Sequence, residues 1–469
     1  MIKNTFGVIV ANRGFFPDKL ARQGRLDIMD VLEKNGYGCV VVSEQDTNCG
    51  AIETLQEAKI CADLFQMKKN MIDGIIITHP NFGEEKGILE AVRRSRLNVP
   101  VLIQAEPDDM AKMSIADRRD SFCGKISNCN NLRQAGIPYT LTANHTVSVK
   151  SEEFRTELQQ FAAVCNIVKG LKKGVRFGAI GARPAAFNTV RYSEKILERE
   201  GITIEPIDLS EIFGKIERLP DNDPGVAAKI MAVKNYVNTG TTPEDKLLRI
   251  AKFGHVVDQW IKEMELDAIT IQCWTSLEEN YGIVPCTVMS MLSNSLIPSA
   301  CEVDATGLLA MYILQLASGK PSALLDWNNN YNNEPDKCVL FHCSNLPVCM
   351  MEKPEMKYQQ IIAGSVGVEN TYGTIEGHIA PAKMTFCRTT TDDTEGILSV
   401  YCGEGRFTDE KLNTFGGYGI MEIPNLQDLM HYICQYGFEH HVAVNPSQTA
   451  EAIYEALTTY LGWEVYLHE

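Results

Sequence analysis

Two acidic residues, Glu302 and Asp326, are the side chains of this sequence whose types and spacing most directly predict chemistry. Each follows a short apolar run, and between them lies a helical pattern that ends at Gly319 and Pro321. This arrangement predicts a strand–helix–strand crossover unit with both carboxylates at the carboxyl edge of one parallel sheet. Two converging carboxylates indicate a site for a divalent cation. The alternative is that Glu302 caps the helix and Asp326 begins a turn.

Two adjacent histidines, His440 and His441, precede the apolar run VAV late in the chain. A lone histidine is most often a packed core or surface residue, whereas a pair at a helix-to-strand junction is less common. If VAV is a strand, the two side chains point to opposite faces, so at most one of them binds a metal directly. Two carboxylates and one imidazole would form an O,O,N site suited to Mn²⁺ or another divalent cation.

The elements that must position these side chains follow from hydrophobic periodicity. The first part of the chain alternates short apolar strands with helical segments, which is typical of a doubly wound parallel sheet. A second region of the same kind follows a basic linker. Later turn signals, spaced about ten residues apart, predict an antiparallel barrel or sandwich. The sequence therefore predicts two doubly wound parallel-sheet α/β domains, 1–170 and 171–350, and a C-terminal β-rich, barrel-like domain, 351–469. The carboxylates fall in the second domain and the paired histidines in the third.

Polar side chains at the ends of the N-terminal strands are further candidates. His79, Gln104 and Glu106 stand where parallel sheets bind ligands, although turn capping accounts for each of them singly. Arg13, just after the first strand, could reach an anionic or hydroxyl-rich ligand or could be an exposed surface arginine. A glycine-containing turn in the second region has Pro184 where a dinucleotide loop needs its third glycine, so nucleotide binding is disfavoured.

Composition and charge limit the class of function. A formal net charge of −16 disfavours a nucleic-acid partner, because the phosphate backbone requires a basic surface. No stretch approaches the roughly 18 consecutive apolar residues of a membrane span, and the N-terminal segment is interpreted as a strand, not a signal peptide. The 15 cysteines include no CxxC pair, which predicts reduced thiols in a cytoplasmic protein.

The order of these residues resembles the L-fucose isomerase and L-arabinose isomerase family. Glu302, Asp326 and His342 are followed by the segment GFEHHVAV, and the segments IGARPAAFNTVRYSEKILE and GTIEGHIAPAKMTFCR look like the second and third domains of fucose-isomerase-like proteins. The resemblance implies a three-domain subunit with a Mn²⁺ site between domains. It further implies that Glu302, Asp326 and His441 bind the metal and that both carboxylates move protons.

The same resemblance assigns the remaining candidate residues. His440 and His342 are expected to contact the substrate, and His342 matches a position that binds metal in the arabinose branch. Gln272 and Ser344 match substrate-contacting positions. Family members are usually homo-oligomers whose sites take residues from a neighbour, so Arg13 is expected to serve another subunit's site.

The function implied is a metal-dependent aldose–ketose isomerase that moves a proton between C1 and C2 of a sugar through an enediol. The substrate is expected to be a hexose, deoxyhexose, pentose or modified sugar, for example a sulfonated one. Two alternatives remain at this point. One is a non-catalytic sugar-binding protein built from the α/β lobes, and the other is a metal-dependent sugar epimerase or lyase that uses the same enediolate.

Overall fold

The computed structural model of the protein describes residues 4–469. These residues form two compact units, one of residues 4–169 with Glu455–Gly462 and one of Gly170–Tyr454 with Trp463–Glu469. Within the described part of the chain, no helix combines the length and the apolar character needed to cross a membrane.

The first unit is built on a five-stranded parallel sheet with the strand order β2-β1-β3-β4-β5. Successive residues of its central strands enter different hydrophobic cores, Phe6, Val8 and Ile76 in one and Ile9 and Ile75 in the other. The sheet is thus covered on both faces, as a doubly wound sheet requires. Its elements are β1 (Thr5–Val10), α1 (Asp18–Lys34), β2 (Gly38–Val41), α2 (Leu55–Met67), β3 (Gly74–His79), α3 (Glu85–Ser95), β4 (Val101–Ala105), α4 (Ser121–Gln134), β5 (Thr140–Leu141) and α5 (Glu152–Lys172).

The second unit begins with a four-stranded parallel sheet of order β7-β6-β8-β9. Its elements are β6 (Val175–Ile180), α6 (Glu194–Arg199), β7 (Ile202–Ile207), α7 (Leu209–Glu217), α8 (Pro224–Tyr236), α9 (Glu244–Met264), β8 (Ala268–Ile271), α10 (Ser276–Tyr281), α11 (Cys286–Asn294), β9 (Ser299–Cys301) and α12 (Ala305–Ser318). The predicted end of the helix at Gly319 is confirmed. This residue caps α12 with φ 66°, a left-handed conformation that glycine adopts without steric cost.

A nine-stranded mixed sheet completes the second unit, and six of its strands close into an antiparallel barrel. The ring runs β16-β11-β10-β17-β14-β15 and returns to β16. The predicted fold class, two parallel α/β sheets followed by a barrel-like β-rich region, is confirmed. The elements are β10 (Ala323–Asn330), β11 (Lys337–His342), β12 (Met351–Tyr358), α13 (Gln360–Val366), β13 (Tyr372–Ile379), β14 (Ala382–Asp392), β15 (Ile397–Phe407), β16 (Gly417–Glu422), α14 (Leu426–Tyr436), β17 (His441–Asn445), α15 (Ala450–Glu455) and β18 (Glu464–His468). The π-helix (Ala456–Leu461) that follows α15 in the chain belongs to the first unit.

The strand after α12 does not return to the parallel sheet, so the predicted crossover unit is wrong. β10 pairs antiparallel with β11 and β17 and belongs to the barrel. An apolar run predicts a buried strand but does not specify which partner it hydrogen-bonds, and β10 finds both partners in segments far along the chain. The mixed sheet therefore begins at Ala323, within the segment assigned to the second α/β domain. One hydrophobic core joins Ile271 and Cys301 of the parallel sheet to Leu325 and Val442 of the barrel.

Candidate active site

Three neighbouring barrel strands bring one acidic and two imidazole side chains together. β10 lies between β11 and β17, and Asp326 stands opposite His441 in their antiparallel register. His342 is the last residue of β11, and His441 is the first of β17. The distance from His441 Nε2 to Asp326 Oδ1 is 3.4 Å. The barrel thus fixes this part of the cluster through backbone pairing.

The fourth member of the cluster, Glu302, comes from the carboxyl edge of the parallel sheet. It follows β9 with φ 57°, and Val303 follows with φ 59°. Two successive non-glycine residues in the left-handed region are unfavourable and persist only where the surrounding structure imposes them. Glu302 Oε2 lies 3.8 Å from His441 Nε2 and 3.9 Å from His342 Nε2. Glu302 and Asp326 therefore converge on one imidazole although their strands belong to different sheets.

Each carboxylate of the cluster has one buried oxygen without a hydrogen-bond partner. Glu302 Oε1 accepts hydrogen bonds from Trp274 Nε1 at 3.1 Å and Cys273 Sγ at 3.3 Å. In contrast, Glu302 Oε2 and Asp326 Oδ1 are buried and accept no hydrogen bond from the described residues. A buried carboxylate oxygen without a donor is costly unless a cation neutralises it. The two oxygens thus have the surroundings that metal ligands require.

The donor set of the cluster fits a divalent cation of the hard-to-borderline class. Glu302, His342 and His441 offer donor atoms within 4.8 Å of one another, and so do Asp326, His440 and His441. Carboxylate oxygens with imidazole nitrogens suit Mn²⁺ and similar ions. His441 belongs to both groups, which places its Nε2 at the centre of the cluster.

Burial and the neighbouring acidic groups act in opposite directions on the pKa values of the two imidazoles His342 and His441. Burial alone would lower the pKa of His342, but Cys343 and the nearby carboxylates outweigh it and raise the pKa to about 9. Burial also acts to lower the pKa of His441, but its hydrogen bond to Asp304 and the charges of Glu302 and Asp326 raise it. Both rings therefore hold a proton to a higher pH than an ordinary histidine does.

The expectation that His440 and His441 point to opposite faces is wrong. His440 lies in a bend just before β17, where the alternation of a strand does not apply. Its Nε2 is 3.7 Å from Asp326 Oδ1, and the two imidazole centroids are 4.7 Å apart. The His440 side chain is 42% exposed, whereas that of His441 is 1% exposed. His441 is thus the enclosed ring and His440 the accessible one.

Sequence reasoning missed three residues behind the cluster: Asp304, Arg388 and Glu439. His441 Nδ1 is hydrogen-bonded to Asp304 Oδ2 at 2.8 Å. Arg388 lies between Asp304 and Glu439 and donates to both carboxylates. Burial acts to raise the pKa of Asp304, but the charge of Arg388 and the bond to His441 hold it well below its usual range. The available sequence signal was an arginine within the otherwise uncharged strand segment TFCRTTT, which indicates a buried ion pair.

Gln272, Ser344 and Arg13 form hydrogen bonds that hold their own loops. Gln272 Oε1 accepts from the backbone N–H of Ala182 at 2.9 Å, and the buried Ser344 Oγ accepts from Leu346 N at 3.4 Å. Arg13, in the first unit, donates to the Gly83 carbonyl at 3.0 Å and pairs with the carboxylates of Glu84 and Glu85. Their roles in substrate binding stay predictions.

Two of the three polar candidates at the strand ends of the first unit, Gln104 and Glu106, are held by local hydrogen bonds. Gln104 Nε2 donates to Val147 O at 2.6 Å, and Glu106 Oε1 accepts from Val149 N at 2.7 Å. These bonds support the turn-capping interpretation for both residues. His79 is fully buried, and burial lowers its pKa to about 3, so the ring is neutral.

Glu278, in α10, predicts a pH dependence of stability. The residue is fully buried, neither carboxylate oxygen has a hydrogen-bond partner, and burial raises its pKa from 4.5 to about 8. Between these values the unfolded chain releases the proton and the folded chain retains it. The free energy of unfolding should therefore fall by about 1.4 kcal/mol per pH unit as pH rises through this window. Glu278→Gln should remove this slope in urea denaturation from pH 5 to 8.

The control for this prediction is the exposed Glu211 of α7, whose replacement by Gln should leave the slope unchanged. Equal slopes for the wild type and Glu278→Gln would show that Glu278 ionises normally in the folded protein.

The chain is similar to known proteins over most of its length. Residues 7–172 match the family model described as fucose/sulfoquinovose isomerase, N-terminal domain, and residues 340–468 match L-fucose isomerase, C-terminal domain. A sulfoquinovose isomerase of Priestia megaterium is 23% identical over 344 residues, which is 73% of each chain. A sulfoquinovose isomerase of Alkalicoccus urumqiensis is 25% identical over 272 residues, 58% of this chain and 59% of the relative. One from a Clostridium species is 29% identical over 151 residues, 32% of this chain and 33% of the relative.

Proposed function

Because the chain belongs to the fucose-isomerase-like family and is an aldose–ketose isomerase, we propose that its reaction needs a divalent cation, Mn²⁺ first among the candidates, and that its substrate is a sulfonated hexose such as sulfoquinovose. The observation that supports the metal site is a pair of buried oxygens without hydrogen-bond partners, Glu302 Oε2 and Asp326 Oδ1, beside His441 Nε2. We assign Glu302, Asp326 and His441 as its ligands, with His342 adjacent.

The catalytic roles of the cluster residues are assigned from the exposure of their side chains. A bound cation would supply positive charge against the negative charge that develops on the sugar oxygens at C1 and C2. The Asp326 side chain is 24% exposed and that of Glu302 is 8% exposed. We therefore assign Asp326 to remove the proton from C2 as general base, and Glu302 to hold the hydroxyl proton that must move for the carbonyl to migrate. His440, which is exposed beside Asp326, would donate to a sugar hydroxyl.

The sulfonated substrate is supported by the relatives' names and by one loop of this chain. The Phe187 ring centroid lies 5.3 Å from that of His440 and 5.7 Å from that of His441, so this loop packs against the histidines. The loop also carries Arg183, whose Nη1 donates to Asn188 Oδ1 at 3.1 Å. A guanidinium is the side chain best suited to hold an anionic oxygen group, which a neutral sugar would not need.

Three further predictions about the whole protein are retained as proposals. We propose division into three domains near 170 and 350, a homo-oligomer in which Arg13 serves a neighbouring subunit's site, and a cytoplasmic location. The described cysteines are all free, which agrees with a reducing compartment.

The experiment that tests the function is an isomerisation assay followed by NMR. Protein stripped of metal is incubated in D₂O with sulfoquinovose, L-fucose or L-arabinose, with and without Mn²⁺. We expect a new ketose from sulfoquinovose, fastest with Mn²⁺, and deuterium at the carbon that receives the proton. Conversion of L-fucose but not of sulfoquinovose would overturn the proposed substrate. A full rate in the metal-free protein would overturn the proposed cofactor.

A further inference from the structure

The residues behind His441 form a buried charged network that the proposed reaction does not use directly. Asp304, Arg388 and His441 are at most 1% exposed, and Glu439 is 4% exposed. Burying charges is costly, and the cost is offset only where geometry and hydrogen bonds are nearly complete. The network lies directly beside His441, a candidate metal ligand, and its Asp304 carboxylate is hydrogen-bonded to that ring. Its charges are thus placed to act on the ligand.

The Asp304 carboxylate is saturated with donors. Its Oδ2 accepts from Arg388 Nη1 at 2.5 Å and is hydrogen-bonded to His441 Nδ1 at 2.8 Å. Its Oδ1 accepts from Arg388 Nη2 and Thr306 Oγ1, each at 3.1 Å, and from the backbone N–H of Gly307 at 2.8 Å. The carboxylate can neither rotate nor leave without breaking several bonds at once. Its position relative to the His441 ring is thus fixed.

Arg388 is held from its other side as well. Its Nη2 donates to Thr306 Oγ1 at 2.8 Å, and its Nε donates to Glu439 Oε2 at 3.1 Å. Glu439 in turn accepts from Thr390 Oγ1 at 2.9 Å. The guanidinium therefore bridges two carboxylates in a fixed plane, which a lysine could not reproduce.

A fixed acceptor at His441 Nδ1 decides which nitrogen faces the cluster. An imidazole that donates its Nδ1 proton to a carboxylate keeps the lone pair on Nε2 when neutral. In this structure Nε2 is the atom that approaches Glu302 Oε2 and Asp326 Oδ1. The opposite tautomer would direct an N–H into the position of a cation and set a lone pair against the Asp304 carboxylate.

We propose that Asp304, locked by Arg388, is the positioning residue that fixes the tautomer and orientation of His441 and so presents Nε2 to the divalent cation. This proposal rests on the proposed metal site. One turn of the chain supplies both carboxylates, because Glu302 and Asp304 are only two residues apart. Glu302 approaches Nε2 of the His441 ring, and Asp304 is hydrogen-bonded to its Nδ1. The left-handed residues 302 and 303 reverse the backbone between the two carboxylates.

The test is Asp304→Asn in the full-length protein, with Mn²⁺ binding measured by the EPR signal of the free ion. Asparagine keeps the size of the side chain, and its oxygen still caps α12 through Gly307 N, since Asn and Asp cap helices equally well. Its amide nitrogen then takes the place of Oδ2, so His441 Nδ1 loses the acceptor for its proton. We expect the Kd for Mn²⁺ to rise about 10- to 100-fold, the range for lost support of a metal ligand. Asp267→Asn, which breaks an ion pair with Lys173 elsewhere in the same unit, should leave the Kd unchanged.

A second readout separates ring positioning from general loosening. In metal-free protein with ¹⁵N-labelled histidine, at a pH where the ring is neutral, wild-type His441 should carry its proton on Nδ1. Asp304→Asn should shift it toward Nε2, and His441→Ala assigns the signal. If the single variant does not fold, Asp304→Asn/Arg388→Met/Glu439→Gln removes the buried charges of the network together and should show the same loss of Mn²⁺ affinity.

The outcomes separate this proposal from the metal site itself. Wild-type protein that binds no Mn²⁺ would overturn both. Wild-type and Asp304→Asn proteins with equal Kd values and the same tautomer would overturn only the positioning role. A loss of affinity that Asp267→Asn reproduces would also overturn it, because the effect would then be general.

Discussion

Replacing Glu302 with Gln, or Asp326 with Asn, is expected to reduce kcat by more than about 10²-fold. Each change keeps the size of the side chain and removes the charge that can accept a proton. Loss of a general base alone typically costs about 10²- to 10⁴-fold in rate. The same oxygens, Glu302 Oε2 and Asp326 Oδ1, are the unpartnered ones, so metal affinity should fall as well and the combined loss should exceed that range. Turnover of the sugar substrate at saturating Mn²⁺ is the measurement.

Two substitutions of the same chemical type serve as controls. Glu205→Gln and Asp267→Asn each break an ion pair in the second unit away from the cluster, and both should retain wild-type turnover. Near-normal turnover by folded Glu302→Gln or Asp326→Asn protein would refute the assignment of that carboxylate.

Removing the metal is expected to abolish activity and lower the melting temperature together. The proposed ligands come from the edge of the parallel sheet and from two barrel strands, so a cation would link the two sheets of the second unit. A ligand that binds only the folded state stabilises it by RT ln(1 + [M]/Kd), about 2.7 kcal/mol at 100-fold excess over Kd. Melting curves with chelator, and after Mn²⁺ is restored, measure this effect. A chelator-treated protein that isomerises sugar at the full rate would contradict it.

The same melting experiment should distinguish the roles of the two adjacent histidines, His440 and His441. His441→Ala should weaken the stabilisation by Mn²⁺, because it removes the enclosed nitrogen shared by both ligand groups. His440→Ala should leave most of that stabilisation and mainly lower turnover, because its ring is exposed and we propose that it contacts the substrate. If His440→Ala loses the response to metal and His441→Ala keeps it, the assignment of the ligand is reversed.

Metal affinity should fall as the pH is lowered. The pKa of His441 determines the pH at which protons begin to compete with the cation. Its pKa in the metal-free protein is raised above 6.5, so protons compete with the cation from a pH higher than that of an ordinary histidine. The affinity for Mn²⁺ should reach its highest value above the raised pKa of His441 and should decrease as the pH falls through that pKa. Mn²⁺ titrations at several pH values would show the dependence, and a flat profile from pH 9 to 5 would exclude His441 as a ligand.

The sequence by itself determined the local elements and the chemistry of the candidate residues. The helix that ends at Gly319, the buried strands around it and the change to closely spaced turns follow from periodicity and from the conformational limits of glycine and proline. Glu302, Asp326 and the paired histidines are candidates because few side-chain types can bind a cation or move a proton. These properties belong to short segments and are independent of what the segments pack against.

The tertiary structure alone decided how those residues meet. β10 hydrogen-bonds β17 of the barrel and not the parallel sheet, so Asp326 faces His441 through an antiparallel register that no local pattern encodes. The bend before β17 turns His440 toward the same carboxylate. Asp304 is joined to Arg388, 84 residues away, and to His441, 137 residues away. Such pairs form only when a closed barrel and a packed core bring distant segments together, because the burial that makes their charges interact strongly exists only in the folded chain.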